Sequence, residues 1–216
     1  MSSYVPTPHI AHLTAEDYEH VYEPAEDSFI LLDALEQDAA QLRSISPILS
    51  IEIGSGSGIV SVFLANLLGP TETMVISTDI NHHACSATLR TGQANKIPVN
   101  PVLTDLLGPL SRRVRGAVDL LVINPPYVPT SKQELFSSQA ARNVGGAWAG
   151  GDAGMELTQR VLEQVPTLLS HKGSFYLVAI EQNHPYEIVS RMQKLGLIVL
   201  QRRAGRERLF VIRMTR

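Results

Sequence analysis

The chain has 216 residues, 44% hydrophobic and 18% charged, with a net charge of −3 and a pI near 6.2. That length fits one soluble domain large enough to bury a substantial core, and the composition is not that of a disordered chain. The slightly acidic balance argues against a protein whose work is gripping nucleic-acid backbone.

Residues 1–20 are polar and carry Pro6, Pro8 and three histidines. They read as a flexible arm ahead of one domain over residues 21–216. The first 30 residues lack the basic start and apolar core of a secretory signal, and no run nears the ~20 apolar residues of a membrane span. A helix is predicted from near Pro24, with Glu23, Glu26 and Asp27 as first-turn acids. Phe29, Ile30, Leu32 and Leu35 form its apolar stripe. Ser46-Pro47 breaks the chain, and beyond it short apolar runs alternate with helical stretches. Strands are predicted at 48–53, 73–78, 99–103, 118–123 and 173–179. Helices are predicted at 59–68, 82–95, 155–169 and 185–195, with Pro166 kinking or ending the third and Gly196 following the last. Residues 128–153 are a long loop rich in Gly, Ala and Ser. Runs 197–200 and 208–214 pair as an antiparallel hairpin around Gly205.

Strands alternating with helices imply right-handed crossovers and an α/β fold with a doubly wound, mostly parallel sheet. Continuous apolar strands fit a sheet covered on both faces. Ligands in such sheets bind outside the carboxyl ends of the strands. The informative residues are therefore those closing each strand.

The first strand ends in Glu52, then Gly54, Gly56 and Gly58 at alternate positions. Glycines there let the backbone turn sharply and approach a ligand, and the next helix aims its amides at the same place. Ile59 stands where a dinucleotide fingerprint needs glycine. The acid Glu52 favours a cationic ligand over a pyrophosphate. Asp79 closes the second strand, where a carboxylate can accept both hydroxyls of a ribose. Asp105 closes the third, where it can face an adenine amino group while Leu106 packs on the ring. Each feature alone is also an ordinary turn or cap; their co-occurrence at consecutive strand ends favours binding. Together they resemble the class I S-adenosylmethionine-dependent methyltransferases, over residues 48–214. The resemblance implies S-adenosylmethionine as cofactor and a seven-stranded sheet whose last strand is antiparallel.

The fourth strand ends in Asn124, Pro125, Pro126 and Tyr127. Two prolines stiffen the backbone and remove two donors, leaving carbonyl oxygens and the Asn124 side-chain oxygen as acceptors. A planar –NH₂ can donate one hydrogen to Asn124 and one to the Pro125 carbonyl while stacking on Tyr127. Holding both hydrogens turns the nitrogen lone pair toward a methyl donor and stabilises charge as it develops. This motif resembles two groups of methyltransferases, one acting on adenine amines and the HemK-like one acting on glutamine. The segment from Tyr22 to Ser28, Tyr-Glu-Pro-Ala-Glu-Asp-Ser, resembles the eukaryotic and archaeal branch of the HemK-like family, as does Ala-Trp-Ala-Gly-Gly at 147–151. In that branch the residues at Tyr22 and Ser28 help hold the cofactor. The branch implies a substrate, the glutamine of the Gly-Gly-Gln loop of a class 1 translation termination factor. It also implies a partner, a small zinc-binding activator subunit covering the edge strand that begins at Val99 and ends at Leu103. Pro98 and Pro101 fit an edge position.

Other readings use the same motif: methylation of adenine in nucleic acid, of histone lysine, or a non-catalytic subunit kept for interaction. The acidic balance and the lack of a second, base-reading domain disfavour the first of these, and a planar acceptor site suits an amide better than a tetrahedral lysine. Arg191, Arg202, Arg203, Arg206, Arg208, Arg213 and Arg216 form the one basic concentration. It reads as a solvated face, or else as docking for an acidic partner. The single Cys85 allows no intramolecular disulfide, and adjacent His82 and His83 diverge on a helix, so no metal site is expected. These features predict a cytosolic protein able to diffuse into the nucleus.

Overall fold

The computed structural model describes residues 5–126, 155–192 and 195–216. Seven strands form one sheet: β1 (Leu49–Ile53), β2 (Met74–Asp79), β3 (Asn100–Leu103), β4 (Val118–Ile123), β5 (Leu169–Ile180), β6 (Gly196–Ala204) and β7 (Glu207–Thr215). Their order is β3-β2-β1-β4-β5-β7-β6. β3, β2, β1, β4 and β5 pair in parallel, and β7 runs antiparallel to both β5 and β6. The doubly wound sheet with an antiparallel last strand is as predicted. The strand order reverses between β1 and β4, which is where a crevice opens in such a sheet.

The helices are α1 (Ala15–Tyr18), α2 (Glu26–Gln37), α3 (Ala39–Ser44), α4 (Ile59–Leu68), α5 (His82–Asn95), α6 (Leu110–Arg113), α7 (Glu156–Leu162), α8 (Val165–Leu168) and α9 (Pro185–Arg191). Alternation along the central strands feeds two cores. Leu120, Val122, Tyr176 and Val178 pack with Ile30, Leu31 and Leu35 of α2 and Phe63 and Leu64 of α4. Leu121, Ile123, Phe175 and Leu177 pack on the opposite face with Val161, Val165 and Ile188 of α7, α8 and α9. This period-two split buries β4 and β5 on both faces.

Several boundaries move for local reasons. The predicted helix 155–169 divides into α7 and α8, and Pro166 sits in the first turn of α8, where its missing N–H costs nothing. β5 starts at Leu169, because a register irregularity between Val118 and Leu120 lets it pair earlier. A Cβ on Gly173 would lie 2.6 Å from the Val118 carbonyl oxygen, so that close pairing needs glycine. α9 ends at Arg191 rather than 195, and the final hairpin is longer than predicted, nine residues in each strand. The predicted loop 128–153 lies outside the described residues.

The expected arm is packed over residues 5–20. Val5 is buried and its N–H donates to Glu36 Oε1 at 2.8 Å. His9 N–H donates to Asn95 Oδ1 and accepts Asn95 Nδ2 at its carbonyl, both at 2.8 Å. Asp17 pairs with Arg90 of α5, and Leu13 and Val21 bury against Ala84 and Ala87. Val5, Leu13 and Val21, at irregular spacing, anchor this segment, which periodicity does not detect.

The late arginines are mostly engaged within the chain. Arg202 pairs with Asp33 of α2, Arg208 with Glu181 at 3.8 Å, and Arg191 with Glu187 at 3.9 Å. Arg213 pairs with Asp38 at 2.7 Å, and Asp38 also accepts the Tyr176 hydroxyl at 2.7 Å. Most of these pairs are exposed ones on a solvated face.

Candidate functional site

The turn after β1 is built by its glycines. Gly54, Gly56 and Gly58 have φ of +76°, +50° and +81°. A Cβ on Gly58 would lie 2.6 Å from Thr88 Cα, whereas at Gly54 and Gly56 nothing lies within 4 Å. Gly58 therefore serves the close approach of α5, and the other two leave open space above the turn. Thr88 Oγ1 donates to Ser55 Oγ at 2.9 Å, and Thr91 Oγ1 to the Ser57 carbonyl at 2.6 Å. Two buried threonines of α5 thus hold the turn in shape.

Asp79 closes β2 beside that turn. Its Oδ2 accepts Gly56 N–H at 3.0 Å and its Oδ1 accepts Asn81 N–H at 2.9 Å. A carboxylate has about four acceptor positions, so these bonds leave capacity for a ligand. Burial pushes the Asp79 carboxyl upward from its ordinary value, and backbone bonds from Asn81, Gly56 and Ile80 oppose this. Asn81 caps α5 by accepting His83 N–H and donates Nδ2 to the His20 carbonyl at 2.7 Å. The N-terminal segment is thereby tied to the strand end.

Glu52 is 2% exposed, and Ser61 Oγ of α4 donates to it. Burial pushes its carboxyl up to about 8. Burial therefore disfavours the charged form of Glu52, and a cation beside it would favour that form. Asp105 closes β3 and meets Arg160 Nη2 at 2.7 Å, a pairing the sequence does not indicate. Leu106 follows with φ +48° and 8% exposure, a strained conformation for a leucine.

Asn124 ends β4. Its Nδ2 donates to Asp27 Oδ2 of α2 at 3.0 Å, and Asp27 Oδ1 accepts Ser28 N–H at 2.7 Å. A carboxylate only accepts, so Asp27 takes the amide nitrogen and turns Asn124 Oδ1 the other way. That oxygen is buried and has no hydrogen-bond partner among the described residues. A buried acceptor left unpaired costs roughly 1–3 kcal/mol and marks a place where a ligand donor belongs. Tyr127 lies outside the described residues.

One cavity of about 440 Å³ joins these parts, in the ~300–1,000 Å³ range of small-molecule sites. It brings together Tyr22, Ser28, Glu52, Gly54, Gly56, Asp79, Asp105, Leu106, Asn124, Pro125 and Pro126 as the sequence predicts. Gly58 supports the turn and is not among the lining residues. Asp27, Asn81 and Arg160 also line it and were not singled out as site residues. Asp27 lies in the Tyr22–Ser28 segment but reads from sequence as one more first-turn acid. Among the described residues no group of three or more His, Cys, Asp or Glu side chains could hold a metal, and no helix is long and apolar enough to cross a membrane.

The family model for the methyltransferase small domain matches residues 27–143. The chain belongs to that family. Methyltransferase HEMK2 of Mus musculus is 46% identical over 98% of this chain and 97% of its own length. The eRF1 methyltransferase catalytic subunit mtq2 of Schizosaccharomyces pombe is 40% identical over 97% and 95%. Among solved structures, the E. cuniculi Mtq2–Trm112 complex, described as responsible for methylating the eRF1 translation termination factor, matches with a TM-score of 0.63 and 26% identity. The match covers 91% of this chain and 98% of that one. As a methyltransferase of this family the chain uses S-adenosylmethionine. The cavity fits it: open space over Gly54 and Gly56, remaining acceptor capacity on Asp79, and Asn124 Oδ1, a buried acceptor without a partner among the described residues.

Proposed function

We propose that this methyltransferase transfers a methyl group to the side-chain nitrogen of a glutamine, the one in the Gly-Gly-Gln loop of a class 1 translation termination factor. One observation carries the reading: Asn124 Oδ1 is a buried acceptor, without a partner among the described residues, whose direction Asp27 fixes. Beside it stands Pro125, which has no N–H and offers only a carbonyl. Two acceptors side by side suit a primary amide, which presents two hydrogens in one plane. The 40% identical relative, named an eRF1 methyltransferase catalytic subunit, supports a termination factor as the substrate.

In this reading Asp79 holds the ribose of the cofactor, Asp105 and Leu106 its adenine, and Tyr22, Ser28 and the Gly54–Gly58 turn its amino-acid end. When bound, S-adenosylmethionine supplies an electrophilic methyl on a cationic sulfur. Glu52 gives up its proton as that cation arrives, which turns a neutral carboxyl into a counter-charge. Asn124 and Pro125 hold both amide hydrogens, so the nitrogen lone pair points out of the amide plane toward the methyl. As the N–C bond forms, charge builds on nitrogen and strengthens both hydrogen bonds. The methyl's bond to sulfur breaks as its bond to nitrogen forms, and one of the amide hydrogens then leaves as a proton to water. Tyr127, outside the described residues, is the residue to which the reading gives stacking on the amide.

A small, zinc-binding activator subunit is the partner proposed for the β3 edge. Among the described residues β3 pairs only with β2; it carries Pro101 and leaves Leu103 54% exposed. Its open edge and apolar end suit strand addition by another chain. The reaction is assigned to the cytosol, with diffusion into the nucleus.

The test is methyl transfer from labelled S-adenosylmethionine to a termination factor, with and without the activator, comparing its Gly-Gly-Gln loop with Gln→Ala. Label that requires the glutamine supports the proposal. Label that ignores it, or that enters histone tails or nucleic acid instead, overturns the substrate.

A further inference from the structure

Asp105 and Arg160 are 55 residues apart in the chain, and both face the cavity. Arg160 comes from α7, a helix with no strand-end role, and its neighbour Leu157 also lines the cavity. The pair is half exposed on both sides, so as a surface ion pair it adds little to stability. Its geometry matters more. Arg160 takes Oδ2 and leaves Oδ1 of Asp105 without a partner among the described residues. An exposed aspartate at a strand end samples several rotamers, whereas one pinned by a guanidinium samples few. Leu106, held at φ +48° beside it, gives an apolar floor at the same end.

We propose that Arg160 is a positioning residue for the adenine of the cofactor, acting through Asp105: it fixes the carboxylate so that Oδ1 meets the 6-amino group. This rests on the placement of adenine at Asp105. Once adenine covers the pair, water leaves it and the pair strengthens. Arg160 therefore selects for a purine bearing an amino group at position 6, a contribution to recognition that lies outside the strand ends.

The test compares binding of S-adenosylhomocysteine with binding of its analogue carrying hydrogen in place of the 6-amino group. Calorimetry is run on the full chain, co-produced with the activator where solubility requires it. Arg160→Met should weaken S-adenosylhomocysteine by about three- to tenfold, the scale of one charge-assisted hydrogen bond at a partly exposed site. The analogue should bind as before, so the discrimination between the two falls. Arg160→Lys should keep part of it. In an Asp105→Asn background, Arg160→Met should add no further loss. Tighter binding in Arg160→Met would mean that the guanidinium competes with adenine, and equal weakening of both ligands would mean a general field. Either result overturns the proposal. If wild type binds both ligands and Asp105→Asn leaves their ratio unchanged, adenine does not sit at Asp105, and the proposal falls with that placement rather than through Arg160.

Discussion

Asp27 and Asn124 are 97 residues apart in the chain and 3.0 Å apart in the fold, joined by a hydrogen bond from the asparagine amide nitrogen to the aspartate. The bond decides which way the Asn124 amide faces. Asp27→Asn keeps the size of the partner but gives it donors of its own, so the Asn124 amide can turn over and present N–H to the substrate. The rate should then fall about 100-fold, close to the loss from Asn124→Ala, with the dissociation constant of S-adenosylhomocysteine changing by no more than ~3-fold in either variant. Single-turnover kinetics with parallel calorimetry checks this. A rate near wild type in Asp27→Asn would mean that something else orients Asn124.

Asp79→Ala should act the other way round. It removes the acceptor for the ribose and also strands the Gly56 and Asn81 amides that the carboxylate holds. Cofactor affinity should drop at least ~30-fold and stability by about 1–2 kcal/mol, the scale of unpaired backbone donors. Titration calorimetry and denaturant unfolding read the two effects separately. Intact affinity would remove Asp79 from the ribose role.

Glu52 gives a pH signature. Its folded carboxyl sits at about 8, above the ordinary value of 4.5. Between those values the folded state binds more protons than the unfolded one, so this group makes stability fall as pH rises from about 4.5 to 8, and no further above that. Glu52→Gln removes the ionisation. Its melting temperature should match wild type near pH 4.5 and exceed it by a widening margin up to pH 8. Thermal scans across that window decide it; parallel curves for the two proteins would show that Glu52 titrates normally.

The β3 edge makes a separate prediction. Leu103 is 54% exposed, so Leu103→Glu should leave the melting temperature of the isolated chain within about 2 °C, as surface substitutions do. The same change places a charge where an apolar partner surface is proposed, and association with the activator should weaken by at least ~10-fold. Unchanged association would move the interface off this edge.

The central fold was legible because its signals are local. Apolar runs at β1, β2 and β4, and the helices between them, are set by periodicity and ended by glycine or acid. The strand ends carrying Gly54, Asp79, Asp105 and Asn124 follow from the sheet's own geometry. What escaped depends on contacts far apart in sequence. Asp27 looks like any first-turn acid until β4 brings Asn124 beside it, and Arg160 looks like a helix-surface residue until Asp105 meets it. Residues 5–20 are held by hydrogen bonds to Glu36, Arg90 and Asn95, none of which leaves a pattern in composition.

The sheet order has a consequence for how the protein is made. β7 follows β6 in the chain yet lies between β5 and β6. During synthesis β5 and β6 therefore wait with facing edges unsatisfied until the strand from Glu207 to Thr215 has cleared the ribosome. Glu207, at the start of that strand, is also a wall of the cofactor cavity. A nascent chain stopped short of β7 thus has neither a finished sheet nor a finished cavity. Its two open edges, rather than lost catalysis, are what quality control would meet first.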